Sequence, residues 1–272
     1  MSATERSRLR ASDLLGLGFH GLRAHPLRAM LSALGIAIGI AAMIAVIGIS
    51  TSSEALVKEK LSALGTNLLT ASAKDDMFGQ PTELPADAIS RMRRIDAIEN
   101  ASFTSQLAKV NVYRNSYIDK GATGGMTVHA ADLDLLGATG SALQSGSWLN
   151  AATAKFPSAV LGYTTAQRLG IRTIGSQIWI GGEQFTVVGI LDPLPLAPGL
   201  DRAALIGRDA AATWLEADIA PSTVYIRVNP ARVDEVRAVL GATANPENPE
   251  AVNVQRPSAA IEARAAAATT FT

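Results

Sequence analysis

Residues 29–49, AMLSALGIAIGIAAMIAVIGI, contain no charged side chain, and this stretch decides how the rest of the chain is interpreted. A helix of about 20 apolar residues, rising about 1.5 Å per residue, crosses the ~30 Å hydrocarbon core of a bilayer. The run is therefore long enough to span a membrane once. We predict a transmembrane helix over 27–50, a basic, amphipathic cytoplasmic segment over 1–26, and a large domain after the span.

The charges on either side of this run predict its orientation. The basic residues that precede it are Arg6, Arg8, Arg10, Arg23 and Arg28. Only Glu5 and Asp13 oppose them, and no basic residue follows the run before Lys58. Because basic residues close to a span stay on the cytoplasmic side, we expect a cytoplasmic N-terminus. The main domain is then extracytoplasmic and anchored in the cytoplasmic membrane.

Two other interpretations of the run stay open. A cleaved secretory signal has an apolar core of about 7–15 residues and a small-residue cleavage site, whereas this run is longer and follows a long segment. A helix buried in a soluble domain seldom stays apolar on all faces over such a length. Both fit the run less well than a membrane span does.

Small residues recur along the run at helical spacing. Ala33, Ala37 and Ala41 are four residues apart, and Gly35 and Gly39 form a GxxxG pair. Small side chains at this spacing let helices approach closely in lipid, where packing drives association. We predict that these five residues pack against other transmembrane helices. The alternative is that an alanine-rich composition produces the pattern by chance.

The sequence over 51–256 predicts an α+β domain. Two parts, about 66–113 and 215–256, each show a strand, a helix and a returning strand, with the helices over 85–96 and 230–240. Two such β-α-β units in one compact body are typical of a ferredoxin-like or split α+β sandwich.

An inserted, mostly-β subdomain is predicted between these parts, over about 114–214. Its clearest element is a hairpin over 177–191, in which two alternating strands flank Gly181 and Gly182. The two glycines supply the positive φ angles of a tight turn. A further short strand is predicted over 203–206.

The last residues, 257–272, predict the start of a helix that leads into a second span. Pro257 opens it, and Ser258 is a candidate N-cap. The sequence becomes almost uncharged after Arg264. We therefore expect the sequence to be a fragment, with another span beginning near Thr272.

These pieces, in this order, resemble the MacB/FtsX-type ABC transporter permeases. The family's first transmembrane helix is similar to residues 27–42, LRAMLSALGIAIGIAA. Its central pattern resembles AVLG at 159–162, Leu169-Gly170, Gly175 and IGGEQFTVVGIL at 180–191. The helix that leads into its second span is similar to residues 257–264. Each piece carries little information alone, but their order and spacing are specific.

The resemblance implies a permease subunit with four spans and a MacB-like extracytoplasmic core domain between the first two. It implies contact with membrane lipid, a homodimer or a heterodimer with another permease subunit, and cytoplasmic ABC ATPase subunits. Movement of the domain would transmit force for export, efflux or lipoprotein and lipid handling. The alternative is a single-span, membrane-anchored binding or regulatory module that does not transport.

No residue is predicted to be catalytic, to bind a cofactor or to bind a metal. The P-loop motif GxxxxGK[ST] occurs nowhere in the sequence, so we expect ATP hydrolysis in a partner chain. Residues 16–21, GLGFHG, match GxGxxG, but a span rather than a βαβ unit follows them, and we interpret 14–27 as an amphipathic helix on the inner membrane face. By the predicted topology His20 and His25 lie across the membrane from His129, so they form no metal site.

Composition excludes other classes of function. The chain has no cysteine, which excludes a disulfide framework and thiol chemistry. Its formal net charge is zero, and we expect no nucleic-acid partner. No role is assigned to the tryptophans Trp148, Trp179 and Trp214.

Overall fold

The computed structural model describes residues 26–28, 30–45, 67–74, 83–261 and 263, and the chain divides into two compact units between residues 58 and 59. In the first unit, helix α1 spans Pro26–Ala45. Its 20 residues are long and apolar enough to cross a membrane. The amphipathic segment predicted over 14–27 lies almost wholly outside the described residues.

The second unit is built around one sheet of eleven strands. These are β1 (Leu68–Ala73), β2 (Ile98–Gln106), β3 (Val112–Tyr113), β4 (Thr127–Ala131), β5 (Leu143–Gly146), β6 (Ser158–Leu161), β7 (Gln177–Ile180), β8 (Glu183–Leu191), β9 (Ala203–Gly207), β10 (Thr223–Val228) and β11 (Val252–Gln255). Its helices are α2 (Ala88–Met92), α3 (Leu135–Thr139), α4 (Tyr163–Arg168), α5 (Pro198–Asp201), α6 (Arg208–Leu215) and α7 (Val233–Ala244). A further helical stretch covers 257–261.

The first and last strands form a ferredoxin-like arrangement. They are ordered β11-β1-β10-β2. β1 and β2 are both antiparallel to β10, which lies between them, and β10 and β11 are both antiparallel to β1. The helices α2 and α7 separate the members of each pair along the chain. The two units predicted from the sequence are therefore interlocked split β-α-β units, and the predicted α+β class is confirmed.

The remaining strands continue the same sheet rather than forming a second one. β2 pairs with β4, and the order then runs β4-β9-β6-β8-β7-β3, with β5 on β8. The predicted hairpin is present as β7 and β8, with φ angles of 62° at Gly181 and 98° at Gly182. Val112 and Tyr113, predicted to belong to the first α+β part, pair instead with β7. They do so because the chain turns away from β4 after Leu107, whose amide donates to Val128.

Three apolar clusters cover the two faces of this sheet. Leu69 belongs to a cluster that α2 and α7 cover, whereas its neighbour Leu68 points to the other face and packs near Leu205 and Tyr225. A third cluster, around Phe185, fills the β-rich part. Burying one such leucine or phenylalanine fully contributes about 1.5–3 kcal/mol, so the alternation along β1 fixes its register.

Several predicted helix bounds are wrong in detail. The helix predicted over 85–96 is only α2, because residues 93–97 continue as turns. The helix predicted from Pro230 begins at Val233, since the Asn229 side chain accepts the Ala231 amide and holds a 3-10 turn there. Ser258 is not an N-cap, because the helical stretch already begins at residue 257.

Candidate functional site

The first strand of the second unit begins, and its last strand ends, at the same end of the sheet. β1 and β11 are antiparallel, with Thr70 opposite Gln255 and Ala73 opposite Val252. The residue before β1 and the residue after β11 therefore lie at the same end of the sheet. We call the polar residues that hold this end, Asn67, Arg227, Arg256 and Ser258, the junction.

Asn67 ties the entering chain to β10. It is 7% exposed, and its Nδ2 donates a hydrogen bond of 2.7 Å to the carbonyl oxygen of Val228. The Val228 amide donates in return to the Asn67 carbonyl oxygen at 3.0 Å. A buried amide side chain with satisfied partners holds one geometry, because each broken bond leaves a polar group without water. The start of β1 is thus fixed to the end of β10.

Arg227 connects the same point to α3. Its Nη1 lies 3.4 Å from Oδ1 of Asn67, and its Nε donates to the carbonyl oxygen of Ala138 at 3.3 Å. Gly140, which ends α3, has a φ of 66°, and a Cβ there would overlap the Arg227 guanidinium. The left-handed backbone favours glycine at this position, and a larger residue would displace the Arg227 guanidinium from the junction.

The leaving chain is held at the junction as well. The hydroxyl of Ser258, 2% exposed, accepts a hydrogen bond of 3.1 Å from Nε of Arg256. Ile261 packs against the cluster that contains Leu68 and Tyr225. Entry and exit of the chain are consequently anchored in the same part of the core. Local sequence patterns gave no sign of this, since Asn67 and Arg227 are 160 positions apart.

The predicted packing residues lie on two sides of α1. Ala33, Gly35, Ala37, Gly39 and Ala41 are all exposed, and a Cβ built on either glycine meets nothing within 4 Å. At about 100° of rotation per residue, the three alanines centre on one side and the two glycines on the opposite side. The five residues therefore form two small-residue faces rather than one, and packing against other helices stays a prediction.

His129 is a buried titratable group whose protonation depends on its surroundings. It is 8% exposed on β4, and its Nε2 lies 3.0 Å from the Thr127 hydroxyl. Burial lowers its pKa to about 4, so the ring is neutral near pH 7. His20 and His25 lie outside the described residues. Within the described ranges, no group of three or more His, Asp or Glu side chains is placed to hold a metal ion.

Residues 29–243 match the MacB-like periplasmic core domain family. The macrolide export ATP-binding/permease protein MacB of Azoarcus sp. (strain BH72) is 32% identical over 184 residues, which cover 65% of this chain and 27% of that protein. The MacB of Acinetobacter baylyi is 23% identical over 205 residues, covering 71% of this chain and 30% of that protein. The chain thus spans less than a third of the length of these relatives.

Two solved structures share the fold. The extracellular domain of the noncanonic ABC-type transporter YknZ from Gram-positive bacteria has a TM-score of 0.52 at 14% identity, covering 70% of this chain and all of that one. The periplasmic region of MacB from Actinobacillus actinomycetemcomitans has a TM-score of 0.53 at 9% identity, covering 76% of this chain and 97% of that one. At these identities the likeness establishes the architecture of the second unit and nothing about its ligands.

Proposed function

The chain belongs to the MacB-like periplasmic core domain family of ABC transporter permeases, and we propose that it supplies the first membrane span and the extracytoplasmic domain of such a permease subunit. We assign residues 1–26 to the cytoplasm, 27–50 to the span, 51–256 to the outer domain and 257–272 to the approach to a second span. Within the outer domain, about 66–113 and 215–256 form the α+β part and about 114–214 the insert.

The observation that carries this proposal is the junction. A domain inserted between two consecutive spans must receive the chain from one helix and return it to the next. Both connections leave this domain from the same end of the sheet, where Asn67, Arg227 and Ser258 fix them. In the proposed permease, a displacement of either flanking span would be passed to the sheet at this end, through β1 or β11.

We propose that ATP hydrolysis by partner subunits drives a movement of the outer domain. Cytoplasmic ATPase subunits would bind and hydrolyse ATP, and the permease helices would pass the resulting motion through the junction to the sheet. The relatives are named as macrolide export ATP-binding/permease proteins, which supports export or efflux as the activity. Lipoprotein or lipid handling is the alternative use of the same motion. The faces of α1 support contact with membrane lipid and with spans of a second permease subunit, in a homodimer or a heterodimer.

The first experiment is a tagged pull-down of the complete native gene product from detergent-solubilised membranes. We expect a P-loop ATPase to co-purify with ATP hydrolysis that vanadate inhibits. If no ATPase co-purifies and the native polypeptide ends near Thr272, the proposed role in transport fails, and a single-span, membrane-anchored binding or regulatory module without transport takes its place.

The orientation has its own test, because the chain contains no cysteine. The side chain of Tyr117 is 95% exposed, so Tyr117→Cys introduces one accessible thiol in the outer domain. A membrane-impermeant maleimide should label it in intact cells, whereas Ser7→Cys should be labelled only after the membrane is opened. The reverse pattern would overturn the proposed orientation.

A further inference from the structure

A cleft of about 370 Å³ lies at the free edge of the sheet, where β3 is the last strand beside β7. Tyr113 and Trp179 stand directly opposite each other in this strand pair, and both line the cleft. Their neighbours Val112 and Ile180 are buried in the core on the other face. Because side chains alternate along a strand, the two aromatic rings share the outer face and form the floor of the cleft.

The charged side chains that line the cleft are basic. Lys109 and Lys120 line the cleft, and no acidic side chain does. The nearby carboxylate of Asp119 accepts the Gly121 amide at 2.7 Å instead. The salt bridges of Arg91, Arg93 and Arg232 with nearby carboxylates do not include Lys109 or Lys120. A small anion would therefore meet two ammonium groups.

Neutral hydrogen-bonding groups complete the lining. Asn111 and Asn115 both line the cleft. The Asn115 Oδ1 accepts a hydrogen bond of 3.0 Å from the Tyr117 amide, which leaves its Nδ2 group to donate. The Tyr113 hydroxyl donates to the carbonyl oxygen of Lys120, which holds the facing loop over the sheet edge. The turn at Gly182 leaves one side open, since a Cβ there would meet nothing within 4 Å.

We propose that this cleft binds a carboxylated sugar. The apolar C–H face of a pyranose fits an aromatic floor of Tyr113 and Trp179. Its hydroxyls fit the amide groups of Asn111 and Asn115, and its carboxylate fits the lysine ammonium groups. The volume is at the lower end of the ~300–1,000 Å³ of small-molecule sites, which suits a single substituted ring.

Two other ligand classes fit the cleft less well. An acidic peptide would satisfy the lysines but leaves the aromatic floor without a flat partner. A nucleotide phosphate is recognised best by a bidentate arginine, and no arginine lines the cleft. Arg114, next to Tyr113 in the chain, donates its Nη1 to the Gln177 carbonyl oxygen at 2.9 Å. The assignment uses residues of the second unit alone and does not depend on the permease proposal.

The test is calorimetric titration of the full chain in detergent with D-glucuronate and, separately, with neutral D-glucose. We expect glucuronate to bind at least about tenfold more tightly than glucose, a difference of about 1.4 kcal/mol. The double variant Lys109→Gln/Lys120→Gln should lose that preference, because both cations are removed. The matched control Lys155→Gln removes an exposed lysine elsewhere and should leave it unchanged.

Saturation-transfer NMR tests separately whether the sugar ring lies against the aromatic side chains of the floor. Irradiation of aromatic protons should transfer to the ring protons of glucuronate in the wild type and in Trp179→Phe, which keeps a ring in place. Equal binding of glucuronate and glucose, or binding of neither, would overturn the proposal. So would tighter binding of a tetraglutamate peptide or of adenosine monophosphate than of glucuronate.

Discussion

Acidification should destabilise the second unit through His129. Burial lowers the pKa of this imidazole from 6.5 to about 4, whereas the unfolded chain regains the ordinary value. Between these two values the unfolded state binds more protons than the folded state. The free energy of unfolding therefore falls as the pH drops from about 6.5 towards 4.

The size of the loss follows from the two pKa values. Integrating the difference in proton uptake between the unfolded and folded states gives the decrease in the free energy of unfolding. This decrease is about 2 kcal/mol at about pH 5 and about 3 kcal/mol below pH 4. For a domain of about 200 residues, 1 kcal/mol shifts the melting temperature by about 2–4 °C. Moving from about pH 7.5 to pH 5 should therefore lower the Tm of the second unit by roughly 4–8 °C through this residue alone.

The assay is thermal unfolding of the full chain in detergent at both pH values, beside His129→Gln. Glutamine does not titrate but keeps a polar group near the Thr127 hydroxyl, so any constant destabilisation of the variant cancels in the pH difference. Burial raises the pKa of the Asp201 carboxyl, which makes that group stabilise the fold as pH falls, and this contribution is common to both proteins. An equal drop in Tm for wild type and variant would refute the argument.

Three further substitutions test the packing, the junction and the membrane helix. A Cβ on Gly162 would overlap a backbone carbonyl oxygen of α5, so Gly162→Ala should cost about 1–3 kcal/mol in chemical denaturation, while Gly199→Ala, with open space around it, should cost much less. Asn67→Ala removes the bond to β10 and should cost about 1–3 kcal/mol in the same assay; no loss would show that the junction is not fixed by this residue. Gly39→Leu should reduce cross-linking between α1 and a neighbouring span without changing the Tm of the second unit, whereas Ile36→Leu should change neither; equal cross-linking in both variants would argue against close packing on the glycine face.

Sequence patterns predicted those elements whose signal is local. The β7–β8 hairpin combines strict alternation with two glycines, and the structure has both glycines at positive φ. The interlocked β-α-β units were predictable because α7 has a clear apolar stripe, Val233, Val236 and Leu240, and flanking strands rich in valine. In each of these segments the local sequence pattern alone predicts the secondary structure.

Long-range pairing was not predictable in the same way. β4, TVHAA, and β5, LQSG, are short and lack a clear period, and β4 becomes a strand by pairing with β2 and β9. The continuity of the sheet between the α+β part and the insert rests on that one strand. The junction side chains were not predictable for a related reason. Asn67 and Arg227 form their hydrogen bonds at the junction only when β1 and β10 pair.

The position of β1 between β10 and β11 also dictates an order of assembly during synthesis. Strands β3 to β9 find partners among themselves, so the insert can form early. β1 must wait for β10, which leaves the ribosome roughly 150 residues later, on the order of 10 s at about 5–20 residues per second. Throughout that interval Leu68 and Leu69 expose apolar surface on both faces of an unpaired strand, which is the kind of segment that aggregates. Nascent chains of this protein should consequently depend on a holding chaperone until β10, which ends at Val228, has been synthesised.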